Sequence, residues 1–228
     1  MIKVVVFDAY GTLFDVYSVG ALAESLYPGH GREISVLWRD KQIEYTRLIS
    51  LSDPHGEHGS RHYRSFWELT RLSLQYTLQR LNLPESDANE VALMGQYARL
   101  NAHAENRAVL EALKARGIPA AILSNGNPEM LASAVESAGF APLLDAVISI
   151  DGIRQFKTMP AAYALVLKRF PVQLEEVLFV SSNAWDALGA TWFGFPSLWI
   201  NRLGLPYETL GPKPRFTGHD LSAVLDAL

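Results

Sequence analysis

The chain of 228 residues is 49% hydrophobic with a formal charge of −4, enough apolar content for a self-sufficient core and no basic field for nucleic acid. It contains no cysteine, which excludes disulfides, a thiolate nucleophile and a cysteine-ligated metal. No basic leader with an apolar stretch precedes the first apolar segment, and no apolar run reaches membrane length, so a soluble cytoplasmic protein with no membrane partner is expected.

The first apolar run, Val4–Phe7, is short and continuous, as in a strand buried on both faces, and it ends in Asp8. More than a hundred residues then intervene before the next such run. Most of the stretch from about Val16 to Leu100 reads as helix, including Glu33–Ile49 and His62–Leu81, with a polar interruption at Ser52–Ser60. A crossover needs only a dozen or so residues, so the excess is read as an inserted helical cap over 16–99, with a core formed by 1–15 and 100–228. The second strand, Ala120–Leu123, delivers Ser124-Asn125-Gly126, and Asn127-Pro128-Glu129 reads as an N-cap with proline at the first helical position. A helix over Glu129–Ala138 follows, then a third strand, Ala146–Ile150, leading to Lys157. After a helix at Pro160–Phe170, the fourth strand, Val177–Val180, delivers Ser181-Ser182-Asn183, with Asp186 opening a helix to Phe193. The fifth strand is Ser197–Ile200, Pro206–Pro214 reads as a surface loop, and a short helix ends at Leu228. Alternating strands and helices predict a doubly wound, parallel α/β domain.

In such a sheet, ligands collect outside the carboxyl ends of the strands. Four strand ends supply two carboxylates (Asp8, Asp186), a cation (Lys157), hydroxyls (Ser124, Ser181) and amides (Asn125, Asn183). That convergence is far more specific than any one residue. His55, His58 and His62 also lie close together, but in a glycine-rich polar loop without a supporting ligand pattern. Gly29-His30-Gly31 does not follow a strand, which leaves it weak as a nucleotide loop.

The strand-end segments resemble the four signature motifs of the haloacid dehalogenase superfamily. More narrowly, Phe7–Val16, Leu123–Gly126 and Val180–Asp186, together with the cap segment Leu37–Gln42, are similar to the L-2-haloacid dehalogenases. The resemblance covers nearly the whole chain and implies a Rossmann-like core, a helical cap and catalysis where they meet. It also implies a homodimer. Phosphatases of the superfamily carry a second aspartate two residues after the nucleophile and an acid four residues before the last one. Here those places hold Tyr10 and Ser182. Magnesium wants near-octahedral oxygen ligands, usually with carboxylates among them, so this departure points away from a metal site and from any cofactor. Without the metal, a phosphate dianion near Asp8 meets uncompensated repulsion.

Displacement of halide from carbon 2 of a small 2-haloacid suits the residues better, because a halide leaves without needing a proton. It does need donors where charge develops, and losing one such donor typically costs ~3–4 kcal/mol. The expectation is attack by Asp8, held ionised by Lys157, with Arg39 and Asn125 cradling the halide. Ser124 and the backbone amides of Ala9 and Tyr10 are suited to the substrate carboxylate. Ser181, Asn183 and Asp186 are expected to handle the water that opens the Asp8 ester. By resemblance, Thr12 and Tyr163 support the nucleophile and Lys157, while Tyr10, Ile43, Phe66 and Trp185 line the apolar pocket. The segment Leu100–Glu105 and Thr158 depart from the family pattern, the former at the exit hinge of the cap. Three rival readings stay open. One keeps the fold and attack but changes the leaving group, as in fluoroacetate or an opened azetidine-2-carboxylate ring. The others are a magnesium-dependent phosphatase and a catalytically idle binding module.

Overall fold

The computed structural model describes residues Met1 to Leu228. Its strands are β1 (Val4–Phe7), β2 (Ala120–Ser124), β3 (Ala146–Ser149), β4 (Val177–Ser181), β5 (Ser197–Ile200) and β6 (Phe216–Gly218). They form one parallel sheet in the order β3-β2-β1-β4-β5-β6, the α/β architecture expected from the alternating pattern. Strand β1 lies at the centre, flanked by β2 and β4, so the order reverses there and a crevice opens beyond its carboxyl end. The register pairs Val6 with Ala121 on one side and with Phe179 on the other.

Two features of the sheet differ from the sequence reading. Strand β3 is only half-buried, with Val147 exposed, because it is an edge strand with one unpaired flank. Strand β6 forms the opposite edge, directly after the Pro206–Pro214 loop. It is three residues long and mixed in polarity, which gives no apolar run to find.

Between β1 and β2 lie α1 (Gly20–Leu26), α2 (Gly31–Ser52), α3 (Phe66–Arg80), α4 (Asp87–Tyr97) and α5 (Asn106–Ala115). Helix α2 buries Ile34, Trp38, Gln42, Ile43 and Thr46, a stripe at helical spacing that packs on α3. At Gly31 a Cβ would lie 2.5 Å from the Gly20 carbonyl, so only glycine lets α1 and α2 approach this closely. Helix α3 starts at Phe66 rather than His62: Ser65 accepts from the Glu68 amide, Glu68 accepts from the Ser65 amide, and this capping box sets the first turn. The chain leaves and rejoins the sheet side by side, where Phe14 bridges Ala102 and the Asp15 amide donates to the Asn101 carbonyl at 2.8 Å.

The remaining helices are α6 (Pro128–Ser137), α7 (Pro160–Arg169), α8 (Ala184–Phe193) and α9 (Ala223–Asp226). Asn127 stands at the N-cap of α6 with Pro128 after it, but its side chain caps nothing. It instead accepts from the Trp67 amide at 3.2 Å and donates to Glu129 at 2.7 Å, tying α3 to the sheet side. One continuous core runs from Phe179 and Val6 in the sheet through Phe14 and Tyr10 to Trp38 and Phe66 in the inserted helices. No helix is long and apolar enough to cross a membrane.

Candidate active site

Asp8 follows β1 directly and is 5% exposed. Its Oδ1 accepts from Lys157 Nζ at 3.0 Å, while Oδ2 accepts from Thr12 Oγ1 at 3.0 Å and Asn183 Nδ2 at 2.8 Å. Thr12 is fixed in turn by accepting from the Ser182 amide at 2.8 Å. The loop turns so tightly because Gly11 holds φ at +97°, a conformation that a side chain strains.

Lys157 is fully enclosed and donates to Asp186 at 2.9 Å as well as to Asp8. Burial works against its ammonium, but the charges of Asp186 and Asp8 outweigh that penalty and raise its pKa. Asp186, in the first turn of α8, also accepts from Tyr163 at 2.8 Å. Burial raises its carboxyl pKa to about 6, against the pull of Lys157. The Tyr163 hydroxyl is pushed well above its ordinary value, first by burial and then by the charge of Asp186, so it donates and stays neutral.

At the end of β2, Ser124 Oγ accepts from the Gly126 amide at 3.0 Å, leaving its hydroxyl proton available. Asn125 Oδ1 accepts from the Lys157 amide at 2.9 Å, which points its Nδ2 away from that contact without a protein acceptor. The backbone amides of Ala9 and Tyr10 likewise have no protein acceptor. Together these make a patch of unpaired donors beside Asp8, suited to an anion.

Arg39, on α2, is buried at 7% exposure and reaches the other flank. Its Nη2 donates to the Tyr10 carbonyl at 2.8 Å and to Asn183 Oδ1 at 3.3 Å, and its Nη1 to Gln42 Oε1 at 2.8 Å. The Tyr10 ring packs on Phe66 at 5.5 Å and on Tyr97 at 5.8 Å between ring centres. Ile43 and Trp185 lie apart from that inner pair: with Arg39 and Asn183 they line a cleft of about 790 Å³ that runs out past Arg47 and Trp199. The four apolar residues expected in one pocket therefore divide into an enclosed pair and a pair on the cleft wall.

The residues singled out from the sequence thus gather around Asp8: Arg39, Ile43, Asn183 and Trp185 line the open cleft, while others, Ser181 and Asp186 among them, are enclosed. Ser181 is fully buried with its Oγ accepting from the Asn183 amide at 3.1 Å, and both Asp186 oxygens are engaged behind Lys157. Sequence reasoning missed Gln42, Thr70 and Tyr97 around Arg39, and Arg47 and Trp199 in the cleft. The three-residue spacing from Arg39 to Gln42 was the one signal available, since such pairs share a helix face.

A family model for haloacid dehalogenase-like hydrolases matches residues 2–194. An (S)-2-haloacid dehalogenase of Pseudomonas sp. strain YL is 40% identical over 225 residues, covering 99% of this chain and 94% of its own. Among solved structures, an L-2-haloacid dehalogenase superposes with a TM-score of 0.95 at 55% identity, covering 99% of this chain and 98% of that one. Another, from Xanthobacter autotrophicus with chloropropionic acid covalently bound, gives a TM-score of 0.89 at 38% identity, with 98% and 97% covered. The four strand ends, the helices inserted after β1 and these full-length similarities lead to one conclusion: the chain belongs to the haloacid dehalogenase-like hydrolase family.

Proposed function

We propose that the protein is a metal-independent (S)-2-haloacid dehalogenase, with residues 16–99 as a cap over the core of 1–15 and 100–228. The observation that carries the reading is the Lys157 ammonium held between Asp8 and Asp186. It keeps the nucleophile ionised, with no call on the magnesium ion that a phosphatase of this superfamily requires. The donors around it do not fit that ion: Ser182 offers a hydroxyl where an acid would be needed, and Tyr10 cannot act as the second aspartate.

In the first step, Asp8 Oδ1, which accepts only from Lys157, attacks carbon 2 from the side opposite the halogen. The carbon–oxygen bond forms as the carbon–halogen pair departs with the halide, inverting the centre. Ser124, with the amides of Ala9 and Tyr10, holds the substrate carboxylate. Arg39 and the Asn125 amide receive the halide. Water then adds to the Asp8 carboxyl carbon and the acyl–oxygen bond breaks. The (R)-2-hydroxyacid oxygen takes one proton of the water and solvent takes the other, restoring Asp8. Splitting one hard substitution into two steps is the gain of covalent catalysis. Asp186, Tyr163 and Ser181 act through their partners, holding Lys157 and Asn183. Ile43 and Trp185 guide the small acid from the cleft, and Tyr10 and Phe66 wall the inner side.

The deciding experiment is a single turnover of L-2-chloropropionate in heavy-oxygen water with EDTA present. Halide release with the label on Asp8, lost in Asp8→Asn, is the expected result; label on the lactate, or a metal requirement, overturns the reading. We also propose a cytoplasmic homodimer, for which Leu48 and Leu51 at the exposed end of α2 offer an apolar face; its mass in solution decides.

A further inference from the structure

Arg39 is surrounded by a polar network that the proposed reaction does not use. Gln42 Oε1 accepts from Arg39 Nη1 at 2.8 Å and from the Tyr97 hydroxyl at 3.1 Å. Gln42 Nε2 donates to Thr70 Oγ1 at 2.6 Å, and Thr70 donates to the Phe66 carbonyl at 2.7 Å. Gln42 and Thr70 are fully buried and Tyr97 nearly so. The directions are forced. Thr70 spends its only proton on the Phe66 carbonyl, so its oxygen must accept, and the Gln42 amide nitrogen must face it. The amide oxygen is thereby turned toward Arg39 and Tyr97, because a flipped amide would set NH₂ against a guanidinium and a hydroxyl proton.

The consequence falls on the guanidinium. Of its five N–H groups, one is held by Gln42 and two by Tyr10 and Asn183. Nε and one Nη1 hydrogen are left for a ligand. We propose that Gln42, oriented by Thr70 and Tyr97, is a positioning residue that fixes which N–H groups of Arg39 meet the departing halide. This rests on the dehalogenase reading. The network spans α2, α3 and α4, so three inserted helices together set the aim of one cation. A preorganised donor stabilises charge that develops only in the transition state, so loosening it lowers the rate of bond breaking more than substrate binding.

The test compares wild type, Gln42→Met and Tyr97→Phe in the full chain. Methionine keeps the length but not the acceptor; phenylalanine keeps the ring stacked on Tyr10 and loses only the hydroxyl. Single-turnover halide release is measured with L-2-chloropropionate and L-2-bromopropionate, alongside inhibition by free bromide and thermal melting. Gln42→Met is expected to slow chloride release about 10- to 100-fold, with a smaller loss for bromide, the better leaving group. Bromide inhibition weakens in parallel, while KM changes less than about threefold. Tyr97→Phe moves the same way by a few-fold, and it decides alone if Gln42→Met does not fold. Equal losses for both halides with unchanged bromide inhibition mean a packing role only and overturn the proposal, as does a wild-type rate. If wild type itself releases neither halide, the dehalogenase reading falls first and this inference with it.

Discussion

The Asp186 carboxyl sits where burial outweighs the attraction of Lys157, so it holds its proton up to about pH 6 instead of near 4. Because the folded value is raised, the native state binds the extra proton between those limits. Stability contributed at this position therefore falls as pH rises from about 4 to about 6. Urea unfolding should show wild type losing on the order of 2 kcal/mol relative to Asp186→Asn across that window; parallel curves refute it. Five other carboxylates, among them Glu24 and Asp220, are shifted downward and give the opposite slope below that window, which the comparison cancels. At this scale the sequence was highly legible. Asp8, Lys157, Asn183 and Asp186 follow strand ends, and a strand end in a parallel sheet points at the crevice wherever the rest of the chain goes. Ser181 was less so, because its side chain faces the core and serves Asn183 instead of the cleft.

Helix starts are decided by single caps, and α3 is the instructive case. A periodic pattern from His62 suggested one more turn, but the Ser65–Glu68 box satisfies the first free amides and stops the helix there. Ser65→Ala should cost about 1 kcal/mol, read as a lower urea midpoint with an unchanged slope. Halide release should be unaltered, since the Ser65 side chain bonds only with Glu68 in the first turn of α3. A loss of activity without a loss of stability would contradict this. Asn127 shows the reverse error: a proper N-cap residue by position, it is recruited by the Trp67 amide across the fold. Local rules give the position of such a residue but not the competition for its side chain.

Taken as a whole, the molecule encloses the Asp8 carboxylate, which is 5% exposed; on the proposed reading, the acid enters when the inserted helices move off the sheet. Besides the Arg39 and Trp67 contacts already described, a handful of further contacts hold the two sides together. The Tyr63 hydroxyl donates to Asp151 at 2.6 Å, the Phe156 amide to Ser50 at 3.0 Å, and the Arg47 guanidinium lies 5.5 Å from the Trp185 ring centre. Tyr63→Phe removes a charge-assisted bond worth about 1.5–3 kcal/mol. Hydrogen exchange at the Trp67 and Phe156 amides should then quicken at least tenfold, while β1, β2 and β4 stay protected. Uniform acceleration, or none, would show that Tyr63 is no latch.

From the sequence alone came the parallel sheet, the inserted helices, Asp8 with Lys157, and the departures at Tyr10 and Ser182 on which the proposed carbon chemistry rests. The first two follow from periodicity, the pair Asp8 and Lys157 from what the strand ends deliver, and the meaning of Tyr10 and Ser182 from the resemblance to the superfamily; such local facts survive without coordinates. Tertiary structure alone decided the half-exposed edge at β3, the added strand β6, the division of the apolar pocket, and the Gln42–Thr70–Tyr97 network that orients Arg39. Those depend on which surfaces meet across distant segments. A buried hydrogen bond between α2, α3 and α4 has no periodic trace, because its partners are chosen by packing and not by spacing.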